Sequence, residues 1–350
     1  MTASSSLRQI DHVEPSIAGI LEAHASKHVG VAIGLLAGNM TRTFAHGALL
    51  EDEPSSAEDV IFEIGSITKV FTATLLADMA LAGEVALDDP VQMHLPDHVR
   101  LAQRGRPITL ADLSSHVSGL SRLPPGFLRS LTKQQRSNPY ADFGVDDLYR
   151  AVGAVRLRRP PGAKVRYSNF GAGLLGAVLA RRAGTSYEQL VQDRICVPLG
   201  LRDTSIDVPA AKLGRFADGH DRRGRAAAHW DWDALALAGA GGLRSTVADM
   251  LVFMRLQLGA PAGRLAEAAK LTHETRAGLP GRGTVGLGWH GQQLNRTSSR
   301  TMLCHNGGTG GFHSFCGFIT ETQTGVIVLS NSARSVDKIG ALVFEALDTT

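Results

Sequence analysis

A serine and a lysine spaced three residues apart are the first residues in this sequence that could do chemistry together. Residues 62–70 read FEIGSITKV, so Ser66 follows a glycine at the predicted start of a helix and Lys69 comes almost one turn later. The two side chains then share one face of the helix, and the N–H groups at its N-terminus could stabilise an oxyanion. A serine hydroxyl needs a base, and a lysine can be that base if burial or nearby cations lower its pKa from about 10.4.

This spacing alone is a weak signal, because residues 335–338 (SVDK) repeat it. We interpret the second match as accidental, since it falls in a predicted surface helix and has no glycine turn to expose its serine. The alternative for the first match is a helix N-cap at Ser66 with a solvated side chain at Lys69.

A tyrosine and an asparagine form the second chemical pattern. Residues 167–169 read YSN, the only YxN in the chain, and they stand just before a predicted helix. Tyr167 can relay a proton between Ser66 and a leaving group, while the Asn169 amide can hold Lys69 and a substrate carbonyl. The alternative is a loop tyrosine with Asn169 as the helix N-cap.

A histidine followed by glycines forms the third pattern, HNGGTGG at residues 305–311, directly before a predicted strand. Gly307 and Gly308 would let a substrate approach the backbone closely, and such a strand edge can supply an oxyanion-hole N–H. His305 would hydrogen-bond Tyr167 or the substrate and would be mostly neutral at pH 7. The alternative is a glycine-rich turn with a surface histidine.

Strands at both ends of the chain would position these residues. Two antiparallel pairs are predicted, at residues 29–36 with 41–49 and at 312–320 with 325–330. Apolar residues at three and four spacing predict helices at 70–81, 146–152, 173–182, 247–258 and 336–346. The expected fold class is α/β of the α+β type. Residues 10–74 and 236–350 would form a lobe with an antiparallel sheet flanked by helices, and residues 75–235 would form a mainly helical lobe. The active site is expected in the cleft between the two lobes.

Composition favours a globular protein with a small-molecule partner. The chain has 350 residues, of which 43% are hydrophobic, and its net charge of +3 is too small to indicate a nucleic-acid or membrane-surface binder. No apolar run approaches a membrane span, and the N-terminal residues lack an export-signal pattern, so we expect a cytoplasmic protein. Three cysteines without paired spacing are expected to be reduced structural thiols. Oligomeric state has no signal in the sequence.

Two cofactor-dependent alternatives have weaker support. Residues 171–176 (GAGLLG) match the dinucleotide fingerprint, and Asp193 follows at nearly the right distance to bind a ribose. However, the fingerprint requires a buried strand before its first glycine, and this chain has a basic, proline-broken segment there. The glycines more plausibly allow tight helix packing. His229 lies near Asp231 and Asp233, but no metal-binding spacing appears. We therefore expect neither a cofactor nor a metal.

In chain order, the SxxK, YxN and HxG patterns resemble the serine β-lactamase and penicillin-binding protein superfamily, specifically its class C branch with the related family VIII-type esterases and D-aminopeptidases. Further segments look like family signatures in family order: residues 108–120 (ITLADLSSHVSGL), 160–179 (PPGAKVRYSNFGAGLLGAVL), 197–204 (VPLGLRDT), 239–250 (GAGGLRSTVADM), 286–289 (GLGW) and 325–332 (GVIVLSNS). The resemblance covers nearly the whole chain.

The resemblance implies roles for individual residues. Ser66 would be the nucleophile, Lys69 and Tyr167 the activating pair, and Asn169 a substrate-orienting group, while the N–H groups of Ser66 and Gly308 would form the oxyanion hole. His305 stands where the lactamases and carboxypeptidases of the branch usually carry a lysine that grips the substrate carboxylate, which argues against penicillin hydrolysis.

The predicted function is therefore hydrolysis of a small ester or amide through an acyl-enzyme. Two alternatives stay open: a transacylase of natural-product biosynthesis that passes the acyl group to an amine or alcohol, and a non-catalytic binding protein on the same fold. The loops at 120–138 and 217–235 are expected to wall the pocket. Trp230 and Trp232 there form either an aromatic wall or packing beneath a long loop.

Overall fold

The computed structural model describes residues 3–52, 56–132, 135–232, 234–294 and 300–348. In chain order, the strands of these ranges are Gly30–Ala37 (β1), Met40–Gly47 (β2), Phe62–Glu63 (β3), Gly219–His220 (β4), Ala226–Ala227 (β5), Arg244–Ser245 (β6), Ala277–Gly278 (β7), Thr284–Val285 (β8), His290–Gln293 (β9), Thr301–Gly308 (β10), His313–Ile319 (β11) and Thr324–Ser330 (β12).

The helices are mostly found between these strands and at the two ends of the chain. They are Ala3–His24 (α1), Thr68–Leu81 (α2), Leu110–Ser114 (α3), Phe127–Ser130 (α4), Val145–Gly153 (α5), Asn169–Ala183 (α6), Tyr187–Val191 (α7), Val197–Leu199 (α8), Val247–Gln257 (α9), Arg264–His273 (α10) and Asp337–Asp348 (α11). A π-helical turn, Gln192–Cys196, joins α7 to α8.

The main sheet is antiparallel and joins the two ends of the chain. Within the described ranges it has eight strands in the order β2-β1-β12-β11-β10-β9-β8-β7. Strands β1 and β12 lie side by side, with Val31 opposite Ser330 and Leu36 opposite Gly325. The α+β fold with a sheet made from both termini is confirmed.

Helices cover both faces of this sheet, which explains why β1 is buried along its whole length. Alternate residues of β1 point to opposite faces. Val31, Ile33 and Leu35 pack in the cluster that also contains α1 and α11 residues, whereas Ala32 and Leu36 belong to the large core shared with α2 and α9.

Helices and loops dominate the chain between β3 and β6. The boundary predicted at residue 75 falls inside α2, and one continuous core contains both Ile327 of the sheet and Leu174 of α6. The division into two lobes stays a prediction.

Two elements near the predicted site differ from expectation. The sequence did not predict a strand at Thr301–Gly308, yet the start of HNGGTGG is the end of β10 rather than a turn. The glycines are required there because β10 approaches another segment closely, as described below. The second SxxK match also differs: Ser335 precedes α11, and its Oγ accepts a hydrogen bond from Asp337 N at 3.2 Å.

Candidate active site

Ser66 lies in a 3-10 turn, Gly65–Ile67, that leads directly into α2. Gly65 has a φ of +50°, and a Cβ there would lie 2.7 Å from Gly308 N, so this turn requires a glycine. Ile67 occupies the N-cap position of α2 and makes no side-chain capping bond. The Ser66 hydroxyl is therefore not a helix cap, and it is free for another partner.

That partner is Lys69, in the first turn of α2. Its Nζ lies 2.8 Å from Ser66 Oγ and donates to the carbonyl oxygen of Ala240 at 2.5 Å. The side chain is buried, with 3% of the residue exposed. Burial, helped by the positive charge of Arg122, holds the pKa of Lys69 well below its usual range. A buried amine with a lowered pKa has a lone pair that can take a proton from serine.

Tyr167 stands beside this pair. Its ring centroid lies 4.9 Å from Lys69 Nζ. Burial raises the pKa of Tyr167 to about 12, although its hydrogen bond with Ser66 and the charge of Arg122 act in the opposite direction. The phenol therefore keeps its proton at neutral pH and can donate it.

Asn169 begins α6, and the helix is capped by the residue before it. Ser168 Oγ accepts a hydrogen bond from Gly171 N at 2.8 Å, so the Asn169 amide is not used as an N-cap. The Asn169 side chain hydrogen-bonds Tyr140, and its Oδ1 is buried without a partner among the described residues. Neither of the two Lys69 hydrogen bonds described above goes to Asn169.

Strand β10 crosses the Ser66 turn at Gly307 and Gly308. A Cβ on Gly307 would lie 2.0 Å from Ile64 O and 2.9 Å from Ser66 N. No side chain fits between the two backbones at this point. The glycines of HNGGTGG thus serve a close approach of strand and turn, which brings the Gly308 backbone beside Ser66.

The register of β10 decides where the Gly308 N–H points. At the β10–β11 turn, Thr309 N donates to Phe312 O at 3.1 Å, and Gly308 is opposite His313. Hydrogen-bonded and non-hydrogen-bonded pairs alternate along an antiparallel ladder, so the Gly308 N–H points away from β11. Strand β9 pairs only with Thr301–Cys304, so it does not cover Gly308. The Ser66 and Gly308 N–H groups can therefore face the same carbonyl oxygen.

His305 lies behind this edge, inside the protein. Only 2% of the residue is exposed, and its Nδ1 lies 2.6 Å from Asn306 O, to which it donates. Its ring centroid is 6.1 Å from that of Tyr167, with no hydrogen bond between them. Burial lowers the pKa of His305 far below its usual value, so the ring is neutral.

Comparison with known proteins gives this arrangement its family. The family model described as Beta-lactamase matches residues 17–348. The chain belongs to the beta-lactamase family. A curated member, the D-alanyl-D-alanine-carboxypeptidase/endopeptidase AmpH of Escherichia coli K12, is 27% identical over 329 residues, which cover 87% of this chain and 80% of that protein.

Solved structures of the beta-lactamase family share the whole fold. The class C beta-lactamase from Rhodobacter sphaeroides superposes with a TM-score of 0.81 at 26% identity, over 96% of this chain and 99% of that one. The beta-lactamase/D-alanine carboxypeptidase from Yersinia pestis gives a TM-score of 0.78 at 26% identity, over 95% and 98%. The resemblance inferred from the short motifs is thereby confirmed.

Three histidines behind the site of this beta-lactamase family member are its candidate metal ligands. Among the described residues, ring nitrogens of His116, His290 and His305 lie within 4.8 Å of one another. His116 Nδ1 accepts a hydrogen bond from Ser168 N at 3.3 Å, which places the ring proton on Nε2 and leaves no free lone pair for a metal. The cluster fits three neutral rings packed beside Tyr167 better than a metal site.

The dinucleotide and metal alternatives lose their structural basis in the described chain. Residues 171–176 are all within α6, where a Cβ on Gly173 would lie 2.5 Å from Leu237 Cδ2, so these glycines allow close helix packing. His229 Nε2 bonds to Ala217 O, and its ring stacks on Phe216. Asp233 lies outside the described residues.

The aromatic residues near the site form a packed group. The rings of Tyr140 and Trp232 stack at 4.5 Å, and Trp230 meets Tyr140 edge-on at 5.3 Å. Because Tyr140 also holds Asn169, this group supports the site and is not only packing under a loop.

Sequence reasoning assigned no role to three residues that surround Tyr167: His116, Arg122 and His290. His116 lies in a segment that matched the family, and that match was its only signal. Nothing in the spacing of the other two indicates that they meet Tyr167. The three cysteines are free and buried, as expected. Among the described residues, no helix has the length and apolar character needed to span a bilayer.

Proposed function

We propose that this protein hydrolyses a small ester or amide through an acyl-enzyme on Ser66. The observation that carries the proposal is the 2.8 Å contact between Ser66 Oγ and Lys69 Nζ, because the lysine is buried and its pKa is depressed. A neutral amine within hydrogen-bond distance is the base that a serine nucleophile requires.

In the first step, the Lys69 lone pair takes the Ser66 hydroxyl proton while Oγ attacks the substrate carbonyl carbon. A new C–O bond forms, and the carbonyl oxygen becomes the oxyanion of a tetrahedral intermediate. The N–H groups of Ser66 and Gly308 are suited to hold that oxygen. Removing one such donor typically costs about 10²–10³ in kcat.

In the second step, the bond between the carbonyl carbon and the leaving group breaks. The Tyr167 phenol gives its proton to the departing oxygen or nitrogen, and the Lys69 ammonium returns a proton to the tyrosine. A pKa of about 12 suits this role, because at neutral pH the phenol still carries the proton that the leaving group needs. Water then attacks the acyl-enzyme by the same route in reverse, releasing the acid and restoring Ser66.

The third motif of this site differs from the usual one of the family. His305 is buried and neutral, so β10 offers no cation for the carboxylate that the family's lysine usually grips. The relatives include a beta-lactamase and a D-alanyl-D-alanine-carboxypeptidase/endopeptidase, names that denote cleavage of amide bonds.

The test is intact mass after mixing with an activated phenyl ester at early times. Wild type should gain the acyl mass, Ser66→Ala should not, and Ser335→Ala, the exposed serine of the second SxxK match, should acylate normally. Added amines that capture the acyl group in place of water would indicate transacylation. If wild type neither gains mass nor releases phenol, the proposal is wrong.

A further inference from the structure

Burial favours the neutral forms of the chemical groups of the site. Burial lowers the pKa values of Lys69 and His305 well below their usual ranges, and it raises that of Tyr167 to about 12. Burial likewise lowers the pKa values of His116 and His290. Tyr167 and the three histidines are therefore uncharged at neutral pH, and burial favours the neutral amine of Lys69.

Arg122 is the cation beside this neutral group. Its Cζ lies 5.6 Å from the ring centroid of Tyr167. Its carbonyl oxygen accepts hydrogen bonds from Asn169 N at 2.9 Å and Phe170 N at 3.1 Å. The backbone of Arg122 is therefore held by the first turn of α6, the helix that also positions Asn169.

The Arg122 guanidinium lies over the Tyr167 ring but has no hydrogen-bond or ion-pair partner among the residues that the structure describes. The side chain is exposed, and no carboxylate or carbonyl of the described residues pairs with it. Its positive charge acts on Lys69, Tyr140 and Tyr167, and no carboxylate opposes it at Lys69 or Tyr167. The site thus has an uncompensated positive charge at its rim.

We propose that Arg122 is a specificity-determining residue that binds a carboxylate of the substrate, so the preferred substrates are esters or amides carrying a carboxylate close to the scissile carbonyl. A guanidinium binds a carboxylate through two parallel hydrogen bonds, which gives orientation as well as attraction. The inference rests on the proposed function and names its substrate class. It places the substrate-binding cation on the segment before α4, not on β10.

Three phenyl esters of similar size test whether Arg122 binds a carboxylate and on which side of the scissile bond. Phenyl butyrate is neutral, phenyl hemiglutarate carries a carboxylate on the acyl side, and 4-carboxyphenyl butyrate carries one on the leaving group. The readout is kcat/KM for each anionic ester divided by that for the neutral ester, on the alkaline plateau of the pH profile. The proteins are wild type, Arg122→Gln, Arg122→Lys and the control Arg129→Gln, an exposed arginine of α4.

For at least one anionic ester, we expect Arg122→Gln to lower this ratio about tenfold to hundredfold, the effect of a lost charged hydrogen bond. Arg122→Lys should restore part of it, because the charge is kept without the planar fork. Arg129→Gln should leave the ratio unchanged. The proposal is overturned if Arg122→Gln changes the ratio less than twofold for both anionic esters.

A binding experiment separates this inference from the proposed function. Glutarate is titrated calorimetrically into Ser66→Ala protein and into the Ser66→Ala, Arg122→Gln double variant, and we expect binding to the double variant to be at least tenfold weaker. Carboxylate binding that depends on Arg122, without acylation of wild type, would contradict only the proposed function. Acylation with no effect of Arg122 on either readout would contradict only this inference.

Discussion

Lys69 is a charged residue type placed where a charge is costly. The described structure pairs it with no carboxylate: its partners are the Ser66 hydroxyl and the Ala240 carbonyl, and the nearby Arg122 has the same sign of charge. Both burial and like charge favour the neutral amine. The same features that make this lysine unfavourable as an ion make it useful as a base.

The pH dependence of acylation follows from this placement. The active form has neutral Lys69, so acylation of a neutral ester should fall as pH drops through the lowered pKa of Lys69, and it should be at its plateau well below pH 10.5. Arg122→Gln removes a positive charge that favours the neutral amine, which raises this pKa and moves the acidic limb to higher pH.

The measurement is the pH profile of kcat/KM for phenyl butyrate in wild type, Arg122→Gln and Arg129→Gln. The arginine in α4 does not act on Lys69, so its removal should leave the limb in place. A limb that stays fixed or moves to lower pH in Arg122→Gln would show that Lys69 is not the group that titrates.

At the scale of elements, the meeting of β10 with the 3-10 turn of Ser66 is the contact on which the oxyanion hole depends. Gly307→Ala puts a Cβ 2.0 Å from Ile64 O, so strand and turn must separate. We expect kcat to fall about 10²–10³-fold, the typical cost of a misplaced oxyanion donor.

Gly278→Ala is the matched control, because this glycine lies in β7 of the same sheet and a Cβ added there would meet nothing within 4 Å. It should keep wild-type kcat. Far-UV circular dichroism would establish that Gly307→Ala still folds. A folded Gly307→Ala protein with unchanged kcat would remove Gly308 from the oxyanion hole.

At the scale of the whole molecule, ion pairs help hold the helix that carries Lys69. Asp78, near the end of α2, is 1% exposed and contacts Arg194 of the π-helical turn at 3.1 Å and Arg264 of α10 at 2.8 Å. The single carboxylate therefore ties α2 to segments about 115 and 185 residues further along the chain.

Asp78→Asn should lower the free energy of unfolding by about 2 kcal/mol, the worth of charged hydrogen bonds whose arginine partners are partly exposed. Urea denaturation measures it. Glu274→Gln breaks an exposed pair with Arg276 and should cost about 0.5 kcal/mol or less. Equal effects of the two substitutions would mean that burial of Asp78 adds nothing.

Local patterns in the sequence determined much of this protein. Segments rich in β-branched and apolar residues predicted the strands β1, β2, β11 and β12. Apolar residues at three and four spacing predicted most of the long helices, because burying one face of a helix imposes that period on the chain. Helix α1, helix α10 and strand β10 were missed. The SxxK and YxN spacings indicated Ser66, Lys69, Tyr167 and Asn169, because the members of each pair are only two or three residues apart and need no distant contact to lie near each other.

Only the tertiary structure decided the state and surroundings of those residues. The lowered pKa of Lys69 depends on burial and on the charge of Arg122, which lies about 50 residues away in the chain. The use of HNGG as a strand depends on contact with a turn about 240 residues earlier. Long-range burial and backbone contact leave no periodic trace in the sequence. For the same reason, the position of Arg122 in the sequence does not indicate that its guanidinium lies beside the Tyr167 ring. Only the packing of α6 against residues 115–123 brings the two side chains together.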